Sequence, residues 1–221
     1  MVRRLISYCM ALLMLGCALA EDELDITYRF GSREEQKIAV TIDDCYHAED
    51  VRAVLDILQA NDVRATFFPI GKALKYEDAA LWQEVVASGC EIGNHSWGHT
   101  YLTKLSRQKI KFPPMGKTNQ KVEESVAAVG YLAVVKWDVS ETDPVKALAA
   151  VQNGSILLFH ARKKDAKCLS VLIPQLVAEG YQLVTVSELL GLPEIVCSAE
   201  KYVYHRRDTE ENIRPDAVPQ N

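Results

Sequence analysis

From Lys37 onward, short apolar runs alternate with amphipathic stretches. Runs at 37–42, 65–70, 91–94, 132–137, 155–159 and 181–186 have the length and apolar character of buried strands. Between them, Val51, Val54, Leu55 and Leu58 recur at helical spacing, as do Leu81, Val85 and Val86, then Val122, Val126 and Val129, then Leu169, Leu172, Ile173 and Leu176. Strand–helix alternation of this kind predicts an α/β fold of parallel βα units, in an open sheet or a barrel. Residues 21–36 are polar and charged and read as a leading-in segment, while the chain after Ser198 reads as a polar surface tail, 199–221. One joint is too short. The stretch from Leu102 to Ile110 begins as a helix, yet Pro113 and Pro114 follow at once, where a helix and a strand would need about 15 to 20 residues.

The N-terminus does not belong to this pattern. Arg3 and Arg4 precede an uncharged apolar run from Leu5 to Leu15, and Ala18-Leu19-Ala20 has the small-x-small pattern of a cleavage site. Residues 1–20 therefore read as a secretory signal peptide. The run is too short for a membrane anchor, and no later stretch approaches membrane length. Leu15-Gly16-Cys17 loosely resembles a lipoprotein box, so lipid anchoring at Cys17 is the alternative to free secretion. The chain has 25 Lys and Arg against 30 Asp and Glu, a net charge of −5, and losing Arg3 and Arg4 takes it to −7. That balance argues against a nucleic-acid partner, which needs a clustered basic face. Cys45, Cys90, Cys168 and Cys197 remain outside the leader. Export permits disulfides; Cys168 with Cys197 is the plausible pairing, and four isolated buried thiols are the alternative.

Polar residues gather where strands end, the place where parallel βα folds hold their chemistry. Asp43 and Asp44 follow the first strand, His95 and His99 the third, and His160 the strand at 155–159. His47 and His205 read as ordinary surface residues, at a helix start and in the tail. The i,i+4 spacing of His95 and His99 can bring two imidazoles onto one ion, although Ser96, Trp97 and Gly98 between them suggest a shaped loop. A carboxylate from another strand end would complete a His₂Asp set suited to Zn²⁺ with an open position. The adjacent Asp43 and Asp44 also fit a turn or cap before the helix at Ala48. If the strand continues, alternation points the two apart, one at the metal and one elsewhere in the pocket.

The ordered motifs resemble the polysaccharide deacetylase family of the NodB-homology type (carbohydrate esterase family 4). Thr41-Ile42-Asp43-Asp44-Cys45 is similar to its Thr-Phe-Asp-Asp-Gly motif, and His95-Ser96-Trp97-Gly98-His99 to its His-Ser/Thr-x-x-His motif. Leu158-Phe159-His160 and Gly180-Tyr181-Gln182-Leu183-Val184-Thr185 resemble two later ones. The resemblance spans about Lys37 to Leu190. It implies a distorted (β/α) barrel and hydrolysis of N-acetyl groups on sugar polymers such as peptidoglycan or chitin. It also implies Asp44, His95 and His99 as ligands of a divalent metal, Asp43 as base and His160 as acid. Supporting roles fall to Pro114 and the backbone N–H near Met115, to Leu158 of the late motif, and to Asp143 as the carboxylate beside His160.

The chain departs from the family in three places. Where Arg-Pro-Pro-Tyr-Gly is expected, Phe112-Pro113-Pro114-Met115-Gly116 stands, so the arginine that would pair with the base is missing. Lys111 should point to the other side of the strand. The Asp-Trp motif is Asp143-Pro144, which removes a sugar-packing tryptophan unless Trp137 substitutes. Cys45 replaces a glycine and reads as a structural thiol. The missing arginine coincides with the short joint, so a single deletion near 110–112 explains both. Residues 21–198 number 178, fewer than the 200 or so of a (β/α)₈ barrel, so the domain over 37–198 is expected to be an incomplete one. The expected function is a secreted, metal-dependent polysaccharide N-deacetylase. The alternative is a catalytically impaired, glycan-binding or non-functional descendant.

Overall fold

The computed structural model describes residues 26–104, 118–128 and 130–193. The leader, Cys17, Val129, Cys197, His205, the tail and the joint at 110–112 with Lys111, Phe112, Pro114 and Met115 lie outside these residues. In chain order the elements are β1 (Thr27–Tyr28), β2 (Lys37–Asp44), α1 (Ala48–Ala60), β3 (Thr66–Pro69), α2 (Ala79–Ala87), β4 (Glu91–Ile92), α3 (Gln120–Ala127), β5 (Val134–Val135), α4 (Pro144–Ala150), β6 (Ile156–His160), α5 (Lys163–Ala178), β7 (Gln182–Val184) and α6 (Val186–Leu190). Short 3₁₀ turns occupy Gly71–Ala73, Tyr76–Asp78 and Leu102–Lys104.

The sheet is built around β2. Ala39 pairs with both Ile156 of β6 and Val184 of β7, so these two strands flank β2 on opposite edges. β7 takes the first residues of its edge, and β3 takes the rest from Thr41 to Asp44. β4 continues outward from β3, and all these pairings are parallel. Beyond β6, Val139 forms a parallel bridge to Leu157, which brings the chain after β5 alongside it. The result is the expected α/β architecture as an open, barrel-like arc. Among the described residues the ladders do not close into a ring.

Alternation along the strands sorts the core into two faces. Ile38, Val40, Ile42, Phe67, Leu157 and Phe159 face the helices, where Val51, Val54, Leu55 and Leu58 of α1 and Leu169, Leu172, Ile173 and Leu176 of α5 are fully buried. Each such side chain contributes roughly 1.5–3 kcal/mol by burial. That burial holds α5 together although Pro174 removes one hydrogen bond from its interior. The opposite, concave face carries Ala39, Ile156 and Val184, packed with Phe68, Val135 and Trp137. At the edge of the arc, Thr66 Oγ1, Ser187 N and Ser187 Oγ all donate to the Glu91 carboxylate, tying β3, β4 and α6 together.

Several boundaries differ from the sequence pattern. The segment 21–36 is not merely a lead-in, because Thr27 and Tyr28 pair in parallel with Val134 and Val135. β2 runs two residues past Ile42, since its neighbours β3 and β6 keep pairing through Asp43. β4 stops at Ile92, because Asn94 turns back to accept from Ser96 N at 2.8 Å. The helix expected from Leu102 is only a 3₁₀ turn within the described residues. Cys45, Cys90 and Cys168 are buried free thiols, so Cys168 is not in a disulfide.

Candidate metal centre

The candidate metal ligands, base and acid all sit at or just after the C-terminal end of a strand. Asp43 and Asp44 end β2, His95 and His99 follow β4, and His160 ends β6. Asp43 and His160 are direct register partners on adjacent strands and point to the same concave face. The two aspartates do not diverge as alternation predicts. Asp44 and Cys45 adopt left-handed φ values of 67° and 56°, and this turn swings the Asp44 carboxylate back toward its neighbour. Glycine adopts that conformation without a Cβ penalty, so Cys45 stands where the backbone favours glycine. Its thiol donates weakly to Ile42 O at 3.5 Å, and burial pushes its pKa well above the ordinary value, which fits a structural thiol.

The His95–His99 segment is a turn rather than a helix. Asn94 Oδ1 accepts from Ser96 N, Ser96 Oγ accepts from His99 N at 3.0 Å, and Ser96 and His99 both have positive φ. These local bonds bring the two rings to a centroid separation of 5.1 Å. His95 Nε2 and His99 Nε2 lie 3.6 and 3.4 Å from Asp44 Oδ1. That oxygen is buried and has no hydrogen-bond partner. A buried carboxylate oxygen without a donor is costly unless a cation completes it. Around a tetrahedral Zn²⁺ with bonds of roughly 2.0–2.1 Å, neighbouring ligand atoms sit about 3.3 Å apart. The three groups therefore fit a divalent ion with a fourth position open.

Electrostatics support the same arrangement. Burial lowers the His95 pKa to about 4, with the charges of His99 and His160 adding and Asp44 opposing. His95 is thus neutral near pH 7, the state in which imidazole ligates metals. Its 3.6 Å approach to Asp43 Oδ2 is then a contact with a neutral ring rather than an ion pair. Burial raises the Asp43 pKa to about 7, with the Asp44 charge adding and His160 opposing.

Two supporting residues were not singled out in the sequence. Asp165, in the first turn of α5, accepts from His160 N at 2.9 Å and stands 3.6 Å from His160 Nδ1. Burial alone would raise its pKa, but hydrogen bonds and charge from His160, with Arg162, lower it. Arg162, the residue before α5, donates to Asp44 Oδ2 at 2.9 Å. The available signal was their position: both follow directly on a strand-end histidine. Asp143 is not the partner of His160. Its Oδ1 instead accepts from Val145 N and Lys146 N and caps α4, with Pro144 in the first turn. Trp137 is half-buried and packs against the cluster of Ala39, Ile156 and Val184, the same group that Phe68, the register partner of Asp43, joins. Leu158 is buried on the same face of β6 as His160. Among the described residues, Trp97, Tyr46 and Tyr101 are exposed aromatics close in sequence to the ligands.

The polysaccharide deacetylase family model matches residues 30–113. The peptidoglycan-N-acetylglucosamine deacetylase of Bacillus cereus is 30% identical over 190 residues, covering 71% of this chain and 89% of that protein. The peptidoglycan-N-acetylglucosamine deacetylase of Listeria monocytogenes is 29% identical over 191 residues, covering 72% of this chain. The match spans only 40% of the length of that relative. The fold is similar to that of a carbohydrate esterase family 4 pseudoenzyme from Bacillus anthracis, with a TM-score of 0.66, 23% identity, and coverage of 75% of this chain and 69% of that one. Taken with the matching order of motifs, the extent of the Bacillus cereus match shows that the chain belongs to the polysaccharide deacetylase family.

Proposed function

We propose that this chain is a secreted, metal-dependent hydrolase that removes N-acetyl groups from N-acetylglucosamine-type polysaccharide, peptidoglycan or a chitin-like polymer. The observation that carries the reading is the buried, unpartnered Asp44 Oδ1 facing the Nε2 atoms of His95 and His99. These three residues would hold the ion, with Zn²⁺ the best match to the donor set. When bound, the ion supplies a Lewis acid that polarises the acetamide carbonyl and acidifies water. Asp43 lies beside the ligands and would take a proton as water bonds to the acetyl carbon; breaking of the C–N bond then releases acetate. His160 sits across from Asp43 on the neighbouring strand and would protonate the departing amine, which cannot leave as an anion. With Nδ1 turned to Asp165, its Nε2 is the nitrogen available to the substrate.

A second reading, glycan binding without turnover, is favoured by Phe112 at the motif arginine and by the similarity of fold to a pseudoenzyme. Bound metal and acetate release from an acetylated chito-oligosaccharide separate the two, with Asp43→Asn as control. Metal together with Asp43-dependent acetate release supports the hydrolase. Metal without acetate release supports the binding protein, and Phe112→Arg then tests whether the lost arginine is the reason. Absence of metal binding refutes the proposed centre.

A further inference from the structure

The Asp44 carboxylate has two oxygens in different situations. Oδ1 faces the two histidines with no donor, while Oδ2 accepts from the Arg162 guanidinium at 2.9 Å. Rotation about the last side-chain bond would exchange them, so whatever grips Oδ2 decides which oxygen is presented to an ion. Arg162 is itself anchored. Its backbone N donates to His160 O at 2.8 Å, and Ala161 N donates to Asp43 O at 3.2 Å. These bonds tie the loop that carries Arg162 to the strand end that carries Asp43 and Asp44.

We propose that Arg162 is a positioning residue of the metal centre, holding Asp44 Oδ2 so that Oδ1 stays turned toward His95 and His99. The proposal rests on the metal-centre reading above. It gives this chain a cation at the carboxylate pair, supplied from the β6–α5 junction instead of from position 112. The Arg162 side chain is 57% exposed while that of Asp44 is 6% exposed, so the guanidinium also offsets part of the cost of a buried carboxylate, and removing it lowers stability. Its effect on metal affinity lies in orientation, because hydrogen-bond partners of ligating carboxylates typically govern that affinity by about 10–100-fold. The guanidinium also repels a divalent ion, but it is half in water, where screening is strong, and it sits on the far oxygen.

The test uses the full chain stripped of metal and titrated with Zn²⁺ against a chromophoric chelator, for wild type, Arg162→Ala, Arg162→Lys and His99→Ala. Visible absorption of the cobalt-substituted proteins reports ligand geometry, and urea unfolding of the metal-free forms checks that each variant is folded. Arg162→Ala is expected to bind Zn²⁺ about 10–100-fold more weakly, with an altered cobalt spectrum, while its metal-free form still unfolds cooperatively, at a lower urea midpoint. Arg162→Lys, which keeps a charged N–H donor, is expected to recover part of the affinity. Wild-type affinity in Arg162→Ala, or no recovery at all in Arg162→Lys, overturns the proposal. If the wild type binds no better than His99→Ala, the metal centre itself fails and the proposal falls with it. If only His99→Ala loses binding, Arg162 alone is excluded.

Discussion

Replacing Asp43 with asparagine in the metal-free protein reads the electrostatic strain of the site directly. Burial raises the Asp43 pKa from 3.8 to about 7 in the folded protein, where the residue is 9% exposed. Between those values the folded state holds a proton that the unfolded state has released, so stability falls as pH rises through this window. At about 1.36 kcal/mol per pKa unit, a shift of roughly 3 units costs about 4 kcal/mol once Asp43 is fully ionised. Asparagine keeps the shape and never ionises. Asp43→Asn should therefore match wild type below about pH 4 and exceed it by up to about 4 kcal/mol at pH 8. His95 acts with the opposite sign. Its pKa, lowered to about 4, makes stability rise with pH between about 4 and 6.5, so the difference between the two proteins is the diagnostic quantity. Urea unfolding of chelator-treated protein at pH 4, 5.5 and 8 measures it. Parallel stability of the two proteins at all three pH values would refute the claim that Asp43 carries this strain.

Three further outcomes follow from particular contacts. Asp165→Asn should lower kcat for acetate release by at least about 10-fold while leaving Zn²⁺ affinity unchanged, because it acts on His160 and not on the ligands; equal kcat would exclude Asp165 from the reaction. Gly154→Ala should destabilise by about 2 kcal/mol or more, seen as a Tm lowered by about 5 °C, because φ is +75° and the new Cβ would lie 2.3 Å from the Ser32 carbonyl oxygen. Trp97 is 60% exposed beside the two histidines, and Gly71 leaves the space its indole occupies. If that face carries a sugar ring, covering about 40 Å² at about 25 cal/mol per Å² is worth roughly 1 kcal/mol, so Trp97→Ala should raise KM for a chito-oligosaccharide about fivefold without changing metal affinity. An unchanged KM would remove Trp97 from the substrate surface.

Much of this was legible along the chain because the relevant interactions are local or periodic. The helical spacing of Val51, Val54, Leu55 and Leu58, and of Leu169, Leu172, Ile173 and Leu176, is the same as the set of fully buried positions in α1 and α5. The strand-end placement of Asp43, Asp44, His95, His99 and His160 follows from parallel βα order; their convergence also needs the turns at 44–45 and 94–99, since β3 lies between β2 and β4. Asp143 misled for a local reason: an aspartate before proline is also a good helix cap, and the backbone N–H groups of Val145 and Lys146 claimed it.

What the order of residues dictated was the succession of elements, the face each helix buries, and which strand ends carry ionisable groups, since these depend on spacing along one chain. Which carboxylate oxygen faces the histidines, and which groups support the reacting side chains, depended on contacts between distant segments. Arg162 meets Asp44 across 118 positions of sequence. No periodicity encodes that meeting, because it exists only once β6 has paired with β2 in register and the left-handed turn at Asp44 and Cys45 has brought the carboxylate around. Pairing brought the groups together, and that turn decided which of their atoms meet.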